Sequence, residues 1–501
     1  MDAQTDAPQT SWHDRAETLA IPGKALIGGQ FVNAASGESF DNHSPIDGRF
    51  LGPVASCDAA DVDAAVAIAR QVFERGDWSG QTPAQRKAVM LRFADLIARH
   101  ADDLALLETL DMGKPITAAR DGDLKAIVDG VRWFAESIDK LYDEIAPTGA
   151  PALGLVTHEP MGVIAGVVPW NYPLMMAAWK FAPALIAGNS VIMKPAEQSP
   201  LSMLRVAELA LEAGLPEGVL QVLPGFGETV GQALGRHMDV DMVTFTGSGP
   251  VGKLFLRYAA ESNMKRVSLE CGGKSPNIIF ADAPDLDRAA HAAAAAIFAN
   301  SGQVCVAGSR LLLHTRIKDE VLARLKSIAE DWQPTDPLSP TAKMGTIVNA
   351  TQFDQVMRYI DKGQAEGAHL VLGGHSAEPV AGGTYIVPTI FDGVDNQMTI
   401  AREEIFGPVL SVLTFDTFDQ AMQIANDTDY GLQASVWTSD LNTAHRAART
   451  LRAGTVLVNH SGGAGLLMPF GGYKQSGIGR DKSLHSIRKY CEMKSTYINL
   501  A

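Results

Sequence analysis

Two residues stand out for the chemistry their settings permit. Cys305 lies in GQVCVAGSR, among small residues and glycine, just past the end of a helical pattern. Such a tight, flexible surround suits a thiol that must approach a ligand. A free cysteine is more commonly a small buried hydrophobe, and Cys57 and Cys491 suggest nothing more; Cys271 comes closest to the setting of Cys305, beside Gly272 and Gly273. Glu270 ends the apolar run RVSLE and precedes CGGKSPN. A carboxylate at the carboxyl end of a strand sits where open α/β sheets bind ligands. A charge that merely terminates a strand is equally common. With a cysteine some 35 residues later, the pair suggests a nucleophile and a general base.

Other side chains fit around such a pair. Asn171 lies in PWNYP, bracketed by Pro169 and Pro173, and is either a turn asparagine or a rigid amide donor for an oxyanion. Lys194 and Glu197, in KPAE, follow the buried-type strand SVIMK. They are either a solvated loop or groups for a ribose and phosphate, the carboxylate accepting from a 2′-hydroxyl and repelling a 2′-phosphate. Two glycine loops occur. The first runs from Pro224 through Gly225 and Gly227 to Gly231, a departure from the usual dinucleotide fingerprint. The second, Gly247-Ser248-Gly249-Pro250-Val251-Gly252, follows the strand VTF and opens a helix, the right context for a diphosphate at a helix N-terminus.

These residues need a framework. Residues 25–55 read as short strands, and 60–142 as helices, among them a Thr-Pro start at TPAQRK and a third helix near DGDLKAIVDGVRWFAESIDKLYDE. The first 20 residues read as a loose arm. Strands then alternate with helices: GVIAGVV, SVIMK, VLQVL, DMVTF, RVSLE and NIIF, followed by a second alternating series from RLLLH to TVLVN. This pattern predicts an α/β fold with doubly wound parallel sheets. The C-terminal STYINLA reads as a lone strand that needs a sheet to join, within the chain or across a subunit boundary.

Composition narrows the class. Among 501 residues, 46% are hydrophobic and 20% charged, as in ordinary globular proteins. The net charge of −15 argues against nucleic-acid binding. Four cysteines without CxxC spacing suggest no disulfide framework and no metal site. A polar N-terminus and the lack of a long apolar run predict a cytoplasmic protein with no membrane span.

Taken together, the segments PWNYP (169–173), KPAE (194–197), FTGS (245–248), LECGGKSP (269–276), GQVCVAGSR (302–310), EEIFGP (403–408) and PFGGYK (469–474) resemble the aldehyde dehydrogenase superfamily, in its order and over nearly the whole chain. The resemblance implies an NAD-binding domain (8–140 and 161–272), a catalytic domain (273–476) and a β bridging arm (141–160 and 485–501) that forms homodimers or homotetramers. It implies oxidation of an aldehyde to an acid by NAD, with NADP as the second candidate. Cys305 would form a thiohemiacetal, Asn171 and the Cys305 N–H would hold its oxygen, and Glu270 would activate water against the thioester. Lys180 matches a lysine of the family's proton relay; Asp481 stands there where many members carry Glu. Cofactor contacts would come from Val168, Pro169, Trp170, Lys194, Glu197, Gly227, Gly231, Phe245, Gly247, Ser248, Glu404 and Phe406. Tyr172, Met176, Trp179, Leu466 and Phe470 would line the substrate pocket. FERGDWS, LALLETLDMGKPI, ESNMKRV and GRDKSLH resemble the bacterial γ-glutamyl-γ-aminobutyraldehyde dehydrogenase branch. The loop His460–Met468 has no acidic residue, so medium-chain or aromatic aldehydes are expected to do at least as well as aminoaldehydes.

Three other readings compete. A cysteine hydrolase would pair Cys305 with His291, His314 or His460 but leave the nucleotide loops unexplained. A recruited binding protein would need neither Cys305 nor Glu270. A CoA-acylating enzyme would normally lack the base at Glu270.

Overall fold

The structure is a computed structural model and describes residues 11–501. Strands Val163–Val167, Ser190–Lys194, Leu220–Val222, Met242–Thr246 and Arg266–Glu270 are fully or largely buried and form the parallel centre of one sheet. Their spatial order, numbered along the chain, is 3-2-1-4-5. This is the doubly wound arrangement, in which a crevice opens where the order reverses, beyond the carboxyl ends of strands 1 and 4. Val168–Asn171 follows the first of these strands and Gly247–Ser248 the second, so the sheet delivers both motifs to one place. Edge strands Ala25–Ile27, Gln30–Val32 and Gly477–Ile478 complete the sheet in antiparallel pairing.

A second sheet of seven strands holds Pro276–Ile279, Arg310–His314, Thr389–Asp392, Val409–Phe415, Gln433–Trp437 and Thr455–Val458 in parallel, with His369–Leu372 antiparallel at its edge. Only residues 271–275 separate the last parallel strand of the first sheet from the central strand Pro276–Ile279 of the second. The Gly-Gly turn after Glu270 is therefore the junction of the two. Apolar clusters cover both faces of each sheet. The C-terminal strand Cys491–Asn499 finds its partner inside the chain, pairing antiparallel with Ala152–Pro160 over its full length, and Glu144–Ala146 adds a third strand.

Three sequence expectations need amendment. The N-terminal arm is helical over Trp12–Thr18: Ser11 and Asp14 form a reciprocal cap, and Arg15 reaches Asp102 and Asp103. Residues 1–10 of that arm lie outside the described residues. The pattern starting at TPAQRK is two helices, Pro83–Arg99 and Ala101–Met112, broken at His100. The third helix of this region is regular over Lys125–Ser137, and the turn before it, Ala118–Leu124, is a wider π-type coil. The helix Ala350–Ala365 adds an element that the sequence pattern does not single out. Among the described residues no helix is long and apolar enough to cross a membrane.

Candidate active site

Glu270 is held by its backbone on every side. It pairs with Thr246 and with Gly477, and its carbonyl accepts from the Gly247 N–H at 3.0 Å. The side chain is 3% exposed and its Oε1 has no hydrogen-bond partner. Burial raises its pKa to about 8; the neighbouring Asp481 anion pushes the same way, while Lys180, Lys489 and Arg480 oppose. A carboxylate so placed titrates near neutrality, as a general base should.

Cys305 is the half-buried one of the four cysteines; the other three are buried, and none forms a disulfide. It is reached through a strained turn. After the helix Leu286–Phe298, residues Asn300, Ser301 and Gly302 take φ of 51°, 54° and 74°. Gly302 is required here, since a Cβ would stand 2.0 Å from the Gly407 carbonyl oxygen. Gln303 holds the turn. Its Nε2 donates to the carbonyls of Asn300 and Thr346, both at 3.1 Å, and its Oε1 accepts from Val348 N–H at 2.9 Å. Burial, with Glu270 and Glu404, pushes the Cys305 thiol above its ordinary range, and backbone N–H groups of Val306 and Cys305 pull it back. The carboxylate thus acts on the charge of the thiol.

Asn171 is 4% exposed and donates through Nδ2 to the Gln303 carbonyl at 2.8 Å; Asn300 Nδ2 donates to its carbonyl at 3.0 Å. One amide hydrogen fixes the side chain on the cysteine turn, leaving the second for a ligand oxygen. Behind Glu270, Asp481 accepts from Lys180 and from Lys489, each at 2.5 Å. Burial would raise Asp481, but the two lysines win and hold it down to about 2. The shorter aspartate therefore still reaches Lys180. Gln303 and Lys489 are not legible as site residues in the sequence: Gln303 lies inside a recognised motif but works through packing, and Lys489 lies in no motif.

Residues fit for a dinucleotide surround the crevice. Lys194 is buried and its Nζ meets Glu197 Oε2 at 3.2 Å, at the end of the strand Ser190–Lys194. Ser248 caps the helix Gly249–Ala260 without a side-chain bond, and a Cβ on Gly249 or on Gly227 would meet nothing within 4 Å, so the N-terminal amides stand open. Gly227–Gly231 is a π-type turn with Gly231 buried. Phe245 packs in the core, and Val168 is buried just past the end of its own strand. Glu404 accepts from Gly273 N–H at 3.1 Å, and burial raises it to about 7. A Cβ on Gly272 would lie 1.9 Å from its carboxylate. Phe406, at φ 57°, meets Trp170 edge-on at 5.2 Å, and Pro169, the residue before Trp170, is half-buried. This donor set suits NAD. Among the described residues no cluster of His, Cys, Asp and Glu could hold a metal.

The helix Pro173–Ala187, with Tyr172 at its start, carries the expected tunnel wall. Tyr172, Met175 and Trp179 are half-buried, whereas Met176 is 5% exposed and belongs to the core. Spacing alone serves either methionine, so the sequence does not distinguish Met175 from Met176. Trp179 meets Phe470 edge-on at 5.3 Å. In the loop 460–468, Leu466 is half-buried while Leu467 and Met468 are exposed. His291 and His460 are exposed and His314 lies at the end of a second-sheet strand; none is among the groups acting on the Cys305 thiol.

Comparison with known proteins identifies the family. Residues 31–496 match the model of the aldehyde dehydrogenase family. The chain is 52% identical over 489 residues to the NADP/NAD-dependent aldehyde dehydrogenase PuuC of Escherichia coli, covering 98% of both chains. It is 58% identical to an indole-3-acetaldehyde dehydrogenase solved in complex with NAD+, with a TM-score of 0.97 over 98% of this chain and 99% of that one. It is 55% identical to a γ-glutamyl-γ-aminobutyraldehyde dehydrogenase from Burkholderia cenocepacia, with a TM-score of 0.96 and the same coverage. A thiol on a strained turn, a buried acid at a strand end and an open helix terminus thus occur in a chain that belongs to the aldehyde dehydrogenase family.

Proposed function

We propose that this chain oxidises aldehydes to carboxylic acids with NAD, using Cys305 as nucleophile and Glu270 as general base. The observation that carries the assignment is the pairing of a half-buried thiol with a buried carboxylate whose Oε1 has no partner. Addition of the Cys305 thiolate to the aldehyde carbon forms a C–S bond and turns the carbonyl oxygen into an oxyanion. The free amide hydrogen of Asn171 and the Cys305 N–H hold that oxygen. NAD, when bound, supplies the acceptor for the hydride. Glu270 then takes a proton from water, whose oxygen attacks the thioester left on Cys305; the acid departs and the thiol is restored. Lys180 would take its place in the proton relay through its charge, which together with that of Lys489 favours ionisation of Glu270, while Asp481 holds both lysines in place.

Val168, Pro169, Trp170, Lys194, Glu197, Gly227, Gly231, Phe245, Gly247, Ser248, Glu404 and Phe406 would hold the dinucleotide, with the ribose hydroxyls accepted by Glu197 and Glu404. Relatives named for indole-3-acetaldehyde and for γ-glutamyl-γ-aminobutyraldehyde support a roomy tunnel for medium-chain, aromatic or amine-derived aldehydes, lined by Tyr172, Met175, Trp179, Leu466 and Phe470, with Met176 in the core behind them. The two sheets and the three-stranded ribbon support a division into an NAD-binding part (8–140, 161–272), a catalytic part (273–476) and an arm (141–160, 485–501), although Gly477–Ile478 returns to the edge of the first sheet. Tyr497, Ile498 and Ile145 are exposed on that ribbon, which supports its use between subunits of a homodimer or homotetramer. A cytoplasmic location is in keeping with the four unpaired cysteines.

The test is NADH absorbance with hexanal, benzaldehyde and 4-aminobutyraldehyde, with and without CoA. NADH formation without CoA is expected. No NADH with any aldehyde and either cofactor would defeat the assignment, and strict dependence on CoA would replace hydrolysis by acyl transfer.

A further inference from the structure

One buried charge in this site has no part in the steps above. Lys482 follows Asp481 at φ 57° and Ser483 follows at φ 53°, two consecutive non-glycine residues in the left-handed region. Such backbone persists only where its surroundings hold it. Here Phe470 and Asp481 exchange backbone hydrogen bonds of 2.8 and 2.7 Å, and Ser483 N–H donates to the Leu466 carbonyl at 2.9 Å. The turn is thereby fastened to the loop 460–468. It throws the Lys482 side chain inward, leaving the residue 6% exposed.

The ammonium stands 4.8 Å from the Trp179 ring centroid and 4.9 Å from that of Phe470, the two aromatic walls of the tunnel. Cys305 and Glu270 both lie within reach of its charge. Yet it has no hydrogen-bond acceptor or ion-pair partner among the described residues. The adjacent carboxylate is already taken, Asp481 Oδ2 by Lys180 and Oδ1 by Lys489. Burial accordingly lowers the pKa of Lys482, against the pull of Asp481, Cys305 and Glu270. Aromatic faces attract a cation but accept none of its three N–H bonds in the way a carboxylate does. A largely buried ammonium with no acceptor for its N–H groups gains from an entering anion that can receive them.

We propose that Lys482 sets the specificity of the tunnel, selecting aldehydes that carry a carboxylate at the end remote from the carbonyl. This rests on the reading of Cys305 and its tunnel given above. Neutral alkanals gain nothing from Lys482, and an ammonium tail is repelled by it. The lack of any acidic residue in the loop 460–468 points the same way.

The experiment compares ω-oxo acids with alkanals of matched chain length, in wild type and in Lys482→Met, Lys482→Arg and Lys482→Glu. The readout is the ratio of kcat/KM, oxo acid over alkanal, within each protein. At its best chain length the wild type should favour the oxo acid by about tenfold or more, chiefly through KM. Lys482→Arg should keep the preference, Lys482→Met should bring the ratio to about one, and Lys482→Glu should invert it. A wild-type ratio at or below about one for every chain length overturns the proposal without any variant. So does a preference that survives in Lys482→Met. Alkanals oxidised normally with a ratio indifferent to residue 482 would sink this inference alone. No NADH from any aldehyde would remove the tunnel reading and this inference with it.

Discussion

Replacing Glu270 by glutamine isolates one proton. The backbone of residue 270 is pinned by strand pairing on both sides and by Gly247, so the substitution changes chemistry rather than position. With its pKa raised by burial to about 8, the wild-type acid is about one-tenth ionised at pH 7 and half at pH 8. Thioester hydrolysis should therefore climb about tenfold per pH unit below pH 7 and level off above pH 8. Glutamine cannot take the proton, and hydrolysis should slow by roughly 10²–10⁴-fold with that limb abolished. Stopped-flow absorbance with hexanal should show a burst near one NADH per site and then a slow steady state. Stability supplies a second readout. The acid's ordinary value of 4.5 rises to about 8 on folding, so its favourable contribution is complete below pH 4.5 and is lost as pH rises through 8. Glu270→Gln should thus gain stability relative to wild type between pH 5 and pH 9, on the order of a few kcal/mol, measured as a widening difference in Tm. Loss of the burst itself, with Cys305 still alkylated by iodoacetamide at the normal rate, would refute the reasoning. It would place Glu270 before hydride transfer.

Three further outcomes follow from the same geometry. Cys305→Ala should abolish dehydrogenase and any esterase activity, and appreciable turnover in it would exclude Cys305 as nucleophile. NAD should be preferred to NADP because Glu197 faces a 2′-phosphate, with Glu197→Gln narrowing the ratio of their kcat/KM values; a lower KM for NADP at equal turnover in the wild type would count against this. Asp481→Asn leaves Lys180 and Lys489 without their shared carboxylate, which should cost about 3–5 kcal/mol in urea denaturation. It should also move the Glu270 limb to lower pH, since an anion is gone and two cations remain; a shift to higher pH would show that Asp481 does not act on Glu270.

The parts of the site written in contiguous residues are legible in the sequence. Glu270 and its Gly-Gly turn, the PWNYP segment and the GQVCVAGSR turn each combine a strand or helix end with the backbone freedom its chemistry needs, so type and spacing mark them as candidates, and the family resemblance gives them their roles. The alternation of strands and helices likewise specifies doubly wound sheets, because a parallel strand buried on both faces can be nothing but apolar. The N-terminal helix is harder to read although its cap, Ser11 with Asp14, is a local signal; a single seven-residue helix has too little periodicity to stand out. The break at His100 has no glycine or proline to mark it.

Long-range pairs are a different matter. Lys180 and Asp481 lie 301 residues apart and Asn171 and Gln303 lie 132 apart, so only the resemblance, and not the spacing, could bring the first pair together. Lys482 is the hardest case. In sequence it is one charge in the mixed run GRDKSLH, next to an aspartate that should neutralise it. Its meaning depends on that aspartate being claimed by two other lysines, and on a left-handed turn that swings its side chain onto Trp179 and Phe470. Neither fact is local. A tunnel judged neutral from its loop thus carries a positive charge from the segment beside it, and the charge of the substrate's far end, more than the apolar wall, becomes the property to vary.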